Sequence, residues 1–272
     1  MENINTNLQN QTNMKEATEA FERLLTIMDE LREKCPWDKV QTFESIRNLT
    51  IEETYELADA ILERKMDEVK KELGDILLHI VFYSKIASET NLFNITDVIN
   101  HICDKLIYRH PHVFGEVEVS TAGDVVKNWE QIKMTEKSGN KTVLSGVPKS
   151  LSSLIKANRI QEKVRAVGFD WEVRNQVWDK VNEEMNELKR EIEKGDQERI
   201  EGEFGDLFFS LVNAARLYNI DPETALERTN KKFTKRFNYL ESKTIKEGRS
   251  LKTMTLDQMN EIWEQAKAFD KQ

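Results

Sequence analysis

Proline and glycine are scarce, 4 and 10 in 272 residues, too few for the many turns of an all-β chain. Only two cysteines occur, Cys35 and Cys103, and they lack metal-ligand spacing, which points to a reduced, cytoplasmic protein. No apolar run is long enough to cross a bilayer and no secretory leader is recognisable, so no membrane partner is expected. Excess positive charge is missing as well. The formal net charge is −9 and the isoelectric point is near 5.2, so nucleic acid is not an expected partner, because phosphate backbones are held by basic patches. A single nucleotide is not excluded, since bound metal ions reverse the local sign of charge. Glycine-rich phosphate loops, the G-x-G-x-x-G turn, the G-x-S-x-G elbow and the H-E-x-x-H helix are all absent. What remains is 33% charged and 39% apolar residues, a composition for helices with well-solvated surfaces and two modest cores.

One stretch is written twice. Residues 50–80 read TIEETYELADAILERKMDEVKKELGDILLHI, and residues 181–211 read VNEEMNELKREIEKGDQERIEGEFGDLFFSL. Without a gap, Glu53 matches Glu184, Glu56 matches Glu187, Glu72 matches Glu203 and Asp75 matches Asp206, each pair 131 residues apart. The echo continues outside this stretch. Lys105 and Arg109 match Lys232 and Arg236, and Trp129-Glu-Gln-Ile-Lys matches Trp263-Glu-Gln-Ala-Lys. An internal repeat of this kind predicts two related lobes, each built on E-x-x-E, a turn and E-x-x-D.

The predicted fold class is all-α: two tandem helical bundles. Residues 1–14, rich in Asn, Gln and Thr, are expected to be disordered; 15–136 form the first helical domain, 137–149 a linker and 150–272 the second domain. Cys35-Pro36 should stop a helix over 15–33. The first E-x-x-E helix is expected from near Thr50, with its turn at 64–67. The apolar run 76–82 predicts a helix buried on every face. Another helix should cover 96–109. In the second lobe a helix ends at Gly168, the E-x-x-E helix turns at Gly195, Asp221-Pro222 opens a helix to about Lys243, and the last helix starts near Thr255.

Residues three apart on a helix share a face. Glu53 and Glu56 therefore project together, as do Glu72 and Asp75, and a short turn lets all four converge. Clustered carboxylates repel, and removing one from water is costly; protonation or a cation relieves them. Oxygen-only ligands suit Mg²⁺, with Mn²⁺ as the alternative. Mg²⁺ takes much of its shell from substrate phosphates, which predicts a site for a polyphosphate. The competing readings are specific. Thr50 and Glu53 fit a capping box, and exposed glutamates are often only solvated charge. A di-iron bundle needs Glu-x-x-His, but Asp75 and Asp206 hold the third position, and His79 is matched by Ser210. Lys232 and Arg236, one turn apart on a basic face, read as phosphate contacts because Lys105 and Arg109 repeat them.

These residues resemble the MazG-type nucleoside triphosphate pyrophosphohydrolases over nearly the whole chain. The stretches that carry the resemblance are CPWDKVQTF (35–43), EETYEL (52–57), ELGDILLHIVFYSK (72–85), KLIYRHPHVF (105–114), WEQIK (129–133), VGFDW (167–171) and FGDLFFSLVN (204–213). The resemblance implies an all-α bundle that binds Mg²⁺ and cleaves nucleoside triphosphates of broad identity, including damaged ones, to monophosphate and pyrophosphate, with homodimers as the usual assembly. It implies Glu184, Glu187, Glu203 and Asp206 as second-lobe metal ligands, and Lys232, Arg236 and Trp263 as nucleotide contacts. Lys180, Glu183 and Arg199 fall near that site by the same likeness. The quartet with its nearby cations suggests a mechanism in which Glu183 or Glu184 orients the attacking water and Glu187 is needed for turnover. The first lobe keeps its own quartet, Glu53, Glu56, Glu72 and Asp75, together with Lys105 and Arg109. Lys180-Val181-Asn182 replaces a more usual aromatic residue before the glutamates. The rival reading from another class is a Mg-nucleotide sensor that binds without turnover.

Overall fold

The scarcity of helix breakers sets the architecture. The computed structural model describes residues 2–121, 123, 125, 128, 129, 132 and 142–268, with side chains from residue 13 onward, and every regular element among them is helical. The chain divides into two compact units, Met1–Val119 and Ser120–Gln272. Much of the expected 137–149 linker, and most of the Trp129-Glu-Gln-Ile-Lys stretch, lies outside the described residues.

In the first unit, α1 spans Glu2–Lys34. It starts at the second residue rather than near residue 15, so the segment expected to be disordered is helical. Its Asn, Gln and Thr are modest helix formers, but no proline or glycine interrupts the run before Cys35-Pro36. A 3-10 turn, Asp38–Val40, leads into α2, Phe43–Leu62. Thr42 begins α2, not Thr50: its hydroxyl accepts from the Ser45 amide, and the Ser45 hydroxyl accepts from the Thr42 amide. Thr50 stands mid-helix, where its hydroxyl donates to the Ile46 carbonyl and meets the Tyr83 hydroxyl at 2.8 Å. The capping-box reading of Glu53 is therefore wrong. Helix α3, Met66–Glu89, folds back on α2; α4, Ile95–Arg109, and the short α5, Pro111–Phe114, follow. Met28, Ile46, Val81 and Phe82 form the core. Arg32, at the end of α1, grips both carboxylate oxygens of Glu89 at 2.8 and 2.6 Å and also donates to the carbonyls of Asp38 and Gln41.

In the second unit, α6 is Ser153–Ala166, α7 Gln176–Lys194, α8 Gln197–Leu217, α9 Pro222–Lys246 and α10 Leu256–Lys267. Asp221 caps α9 by accepting from the Thr224 amide at 2.7 Å, with Pro222 in the first turn. Val177, Val181, Leu188, Leu207 and Ala214 make the core between α7 and α8. Gln161 crosses from α6 to donate to the Phe209 carbonyl at 2.8 Å. Arg216, near the end of α8, holds both oxygens of Asp170 in the connector before α7, with Asn213 as a further acceptor.

Helix α3 departs from expectation. The run 76–82, expected to be buried on every face, leaves Leu77 and Ile80 exposed, and Leu73 one turn before is exposed as well. The residues 131 positions on, Phe204, Phe208 and Leu211 of α8, are exposed in the same way. Both lobes therefore repeat the same exposed apolar face.

The two hairpins turn on residues that also correspond. Gly195 (φ 76°) and Arg64 (φ 58°) are both left-handed, a conformation that costs an L-residue about 1–2 kcal/mol. A Cβ on Gly195 would meet nothing within 4 Å, so the conformation alone decides the outcome. Gly195→Ala is expected to cost about 1 kcal/mol, part of the strain being offset by a stiffer unfolded chain. Arg64→Gly should be neutral or slightly stabilising. Chemical denaturation of both variants tests this contrast.

Candidate functional site

Each hairpin places its acids symmetrically about its turn. Glu56 and Glu72 stand eight residues either side of Arg64, and Glu53 and Asp75 stand eleven. Around Gly195 the same counts give Glu187 with Glu203 and Glu184 with Asp206. Equal steps of 1.5 Å along facing helices bring paired positions to similar heights.

The structure gathers three acids of each quartet. Ligand oxygens of Glu53, Glu56 and Glu72 lie within 4.8 Å of one another, as do those of Glu184, Glu187 and Glu203. Asp75 and Asp206, one turn further along α3 and α8, are outside these trios but act on them through charge. Glu72 and Glu184 are buried, 3% and 6% exposed. Burial, and then the charges of Asp75, Glu56 and Glu72, hold the Glu53 carboxyl above its ordinary pKa. Glu203 is raised by burial first and then by Glu187, Asp206, Glu184 and Glu191. The Oε2 atoms of Glu72 and Glu203 are buried without a hydrogen-bond donor. An orphaned oxygen in a group of three carboxylates fits a hard divalent cation. No histidine enters either trio, which leaves the Glu-x-x-His pattern without its nitrogen ligands among the described residues. His79 is buried, which lowers its pKa against the pull of Asp75.

Each trio also has a lysine, reached from a different helix. In the second lobe, Lys180 bonds Glu184 at 2.7 Å and Glu183 at 3.0 Å, and hydrogen bonds to these two carboxylates raise its pKa. In the first, Lys71 meets Glu72 at 3.0 Å. Position 49, which answers to Lys180, is leucine; position 202, which answers to Lys71, is glycine. The repeat gave no sign of Lys71 for this reason.

The cationic and aromatic candidates lie mostly on other elements. Lys232 and Arg236 are on α9, and the Arg236 guanidinium sits 5.6 Å above the Trp263 ring of α10. Phe233 packs against the same indole with centroids 4.9 Å apart. Lys105 and Arg109 are half-buried at the end of α4. Arg199 lies one turn before Glu203 on α8 and pairs with Asp196 at 3.4 Å. Glu191, one turn beyond Glu187, was not anticipated. Its match in the first lobe is Ala60, so a search guided by the repeat passes over it.

Comparison with known proteins gives the same two regions. The model of the MazG nucleotide pyrophosphohydrolase domain matches residues 41–114 and again 175–240. A Thermotoga maritima protein named nucleoside triphosphate pyrophosphohydrolase/pyrophosphatase MazG is 45% identical over 260 residues, covering 94% of this chain and 99% of the relative. An Escherichia coli K12 nucleoside triphosphate pyrophosphohydrolase is 42% identical over 91% of this chain and 97% of its own length. Bacillus subtilis YabN is 44% identical, and the match spans 52% of that longer protein.

Crowded like charges have a thermal signature. A carboxyl with a raised folded-state pKa binds its proton more tightly in the folded chain, so its contribution to stability falls as pH rises from the ordinary glutamate range through the raised value. In chelator, the melting temperature should therefore drop as pH rises above the ordinary glutamate range, and the drop should shrink in Glu203→Gln. Millimolar Mg²⁺ should restore the parent at the higher pH. Thermal melts across pH, with and without EDTA, check both signs.

Proposed function

The chain belongs to the MazG nucleotide pyrophosphohydrolase family, and from that premise we propose that it hydrolyses nucleoside triphosphates of broad identity to monophosphate and pyrophosphate, with Mg²⁺ as cofactor and Mn²⁺ as a substitute, in nucleotide-pool housecleaning or stress. The observation that carries the reading is the pair of carboxylate trios with their orphaned buried oxygens. Glu184, Glu187, Glu203 and Asp206 would hold the ion in the second lobe, and Glu53, Glu56, Glu72 and Asp75 in the first. When bound, a divalent ion neutralises the triphosphate and stabilises charge on its oxygens.

The chain's own residues supply the rest. Glu183 or Glu184 orients a water and takes its proton. The water oxygen bonds to a phosphorus of the α–β anhydride, the bridging P–O bond breaks, and pyrophosphate departs. Lys180 leaves its glutamates for a phosphate oxygen, and Arg199, Lys232 and Arg236 hold others; in the first lobe, Lys105 and Arg109 have that role. Arg236 covers one face of Trp263. Its transfer to phosphate frees that face for a base, and stacking of this kind accepts any base.

The repeated apolar stripes support a homodimer. Leu73, Leu77, Ile80, Phe204, Phe208 and Leu211 are exposed in the single chain, and patches of this sort mark association surfaces. No helix among the described residues is long and apolar enough to cross a membrane, and the net charge of −9 gives no basis for binding nucleic acid.

Two experiments test this reading. Chromatography of NTP and dNTP reactions should show monophosphate and pyrophosphate with Mg²⁺ and nothing with EDTA. Glu184→Ala/Glu187→Ala should lose about 100-fold or more of the second lobe's turnover with unchanged helicity, while Glu53→Ala/Glu56→Ala reports what the first lobe contributes. Diphosphate and orthophosphate would refute the reaction, and bound but uncleaved nucleotide would favour the sensor. For the dimer, Leu77→Asp and Phe208→Asp should shift the mass measured by light scattering toward the monomer.

A further inference from the structure

The second hairpin has a rung that the first lacks. Glu191 and Arg199 stand four residues either side of Gly195, where the first lobe has Ala60 and Glu68 around Arg64. Glu191 continues the α7 face that carries Glu184 and Glu187. Its side chain is 12% exposed, and one oxygen holds the Lys194 ammonium at 2.6 Å. The other, Oε2, is buried and accepts no hydrogen bond. Arg199, opposite, does not satisfy it; that guanidinium is turned to Asp196.

In the ion-free protein this arrangement is unfavourable. A buried carboxylate oxygen without a donor costs stability, and Glu191 adds one more negative charge near Glu203. Ala60, 6% exposed, fills the equivalent place in the first lobe without that cost. A charge that destabilises the empty hairpin has a function once a cation arrives.

We propose that Glu191 is a positioning residue for a divalent ion in the second lobe, its free oxygen serving the hydrated ion held by Glu184, Glu187 and Glu203, so that this lobe binds Mg²⁺ or Mn²⁺ more tightly than the first. The proposal rests on reading the trios as divalent-ion sites. Mg²⁺ and Mn²⁺ keep part of their hydration when held by few carboxylates, and groups just beyond the direct ligands orient that shell. Glu191 is one helical turn from Glu187, outside the trio itself, and its charge reaches Glu203. It would make the two trios, alike in their direct acids, unequal sites.

The test is Mn²⁺ titration of the full chain, followed by electron paramagnetic resonance without nucleotide. Glu53→Ala/Glu56→Ala is the parent, so that only the second-lobe trio reports. Adding Glu191→Ala should weaken Mn²⁺ binding about 10- to 100-fold, the range for removing an outer-shell partner; Glu191→Gln, which keeps the shape, should lose less. Melting temperatures in EDTA should stay level or rise in both variants. If the parent binds Mn²⁺ and both variants bind within about twofold of it, this inference falls and the trio reading stands. If the parent binds no Mn²⁺, both fall. An EDTA melting temperature lowered by about 5 °C or more in both variants would make Glu191 a structural residue and overturn the proposal.

Discussion

A glutamate in a core register is the constraint around which each hairpin is arranged. The buried residues of α7 are Val177, Val181, Glu184 and Leu188, a single stripe in which an aliphatic side chain at 184 would simply complete the core. Helix α3 buries Glu72 and also carries the core residues Val81 and Phe82. Each such carboxylate faces two more across or along the hairpin, and low local dielectric strengthens the repulsion. Lys180 and Lys71 relieve it from opposite helices. The need for a cation is thus common to both lobes, while the side chain that meets it in the ion-free protein is not.

The long helices were legible because apolar periodicity and the absence of breakers agree. The hairpin centres were legible because the repeat fixes them. Spacing of three residues was enough to bring Glu53 with Glu56 and Glu184 with Glu187, and a short turn to bring in Glu72 and Glu203. The start of α2 was misread because Thr50-x-x-Glu53 imitates a cap that Thr42 and Ser45 in fact make. The exposure of α3 was misread because periodicity reports that a face is apolar, not what covers it. Glu191, Lys71 and the Arg216–Asp170 pair were invisible for a different reason. Glu191 and Lys71 break the repeat, and each of these groups matters only through a neighbour brought near by folding.

Rigid helices suit this chemistry. The acids are spaced by helical rise rather than by loops, so their geometry is set before any ligand arrives, and little ordering is required on binding. The cationic and aromatic groups are different. Lys180 rests on glutamates and Arg236 on an indole, partners that a triphosphate can replace one for one. The cations proposed to bind phosphate are therefore held in compensated positions, which limits the cost of concentrating charge there.

The two arginine clamps separate what the lobes share from what one of them has added. Arg32 reaches from the first helix of its lobe to Glu89 at the end of the E-x-x-D helix, whereas Arg216 sits on the E-x-x-D helix and reaches back to Asp170. The first lobe has that second polarity too: Lys85, which answers to Arg216, reaches back from α3 to Asp29 of α1 at 2.6 Å. A cation on the E-x-x-D helix that fastens the opening segment is thus common to both halves, and the Arg32–Glu89 clamp is an addition of the first. A crossover between the lobes would keep the shared fastening position and forfeit only the added one.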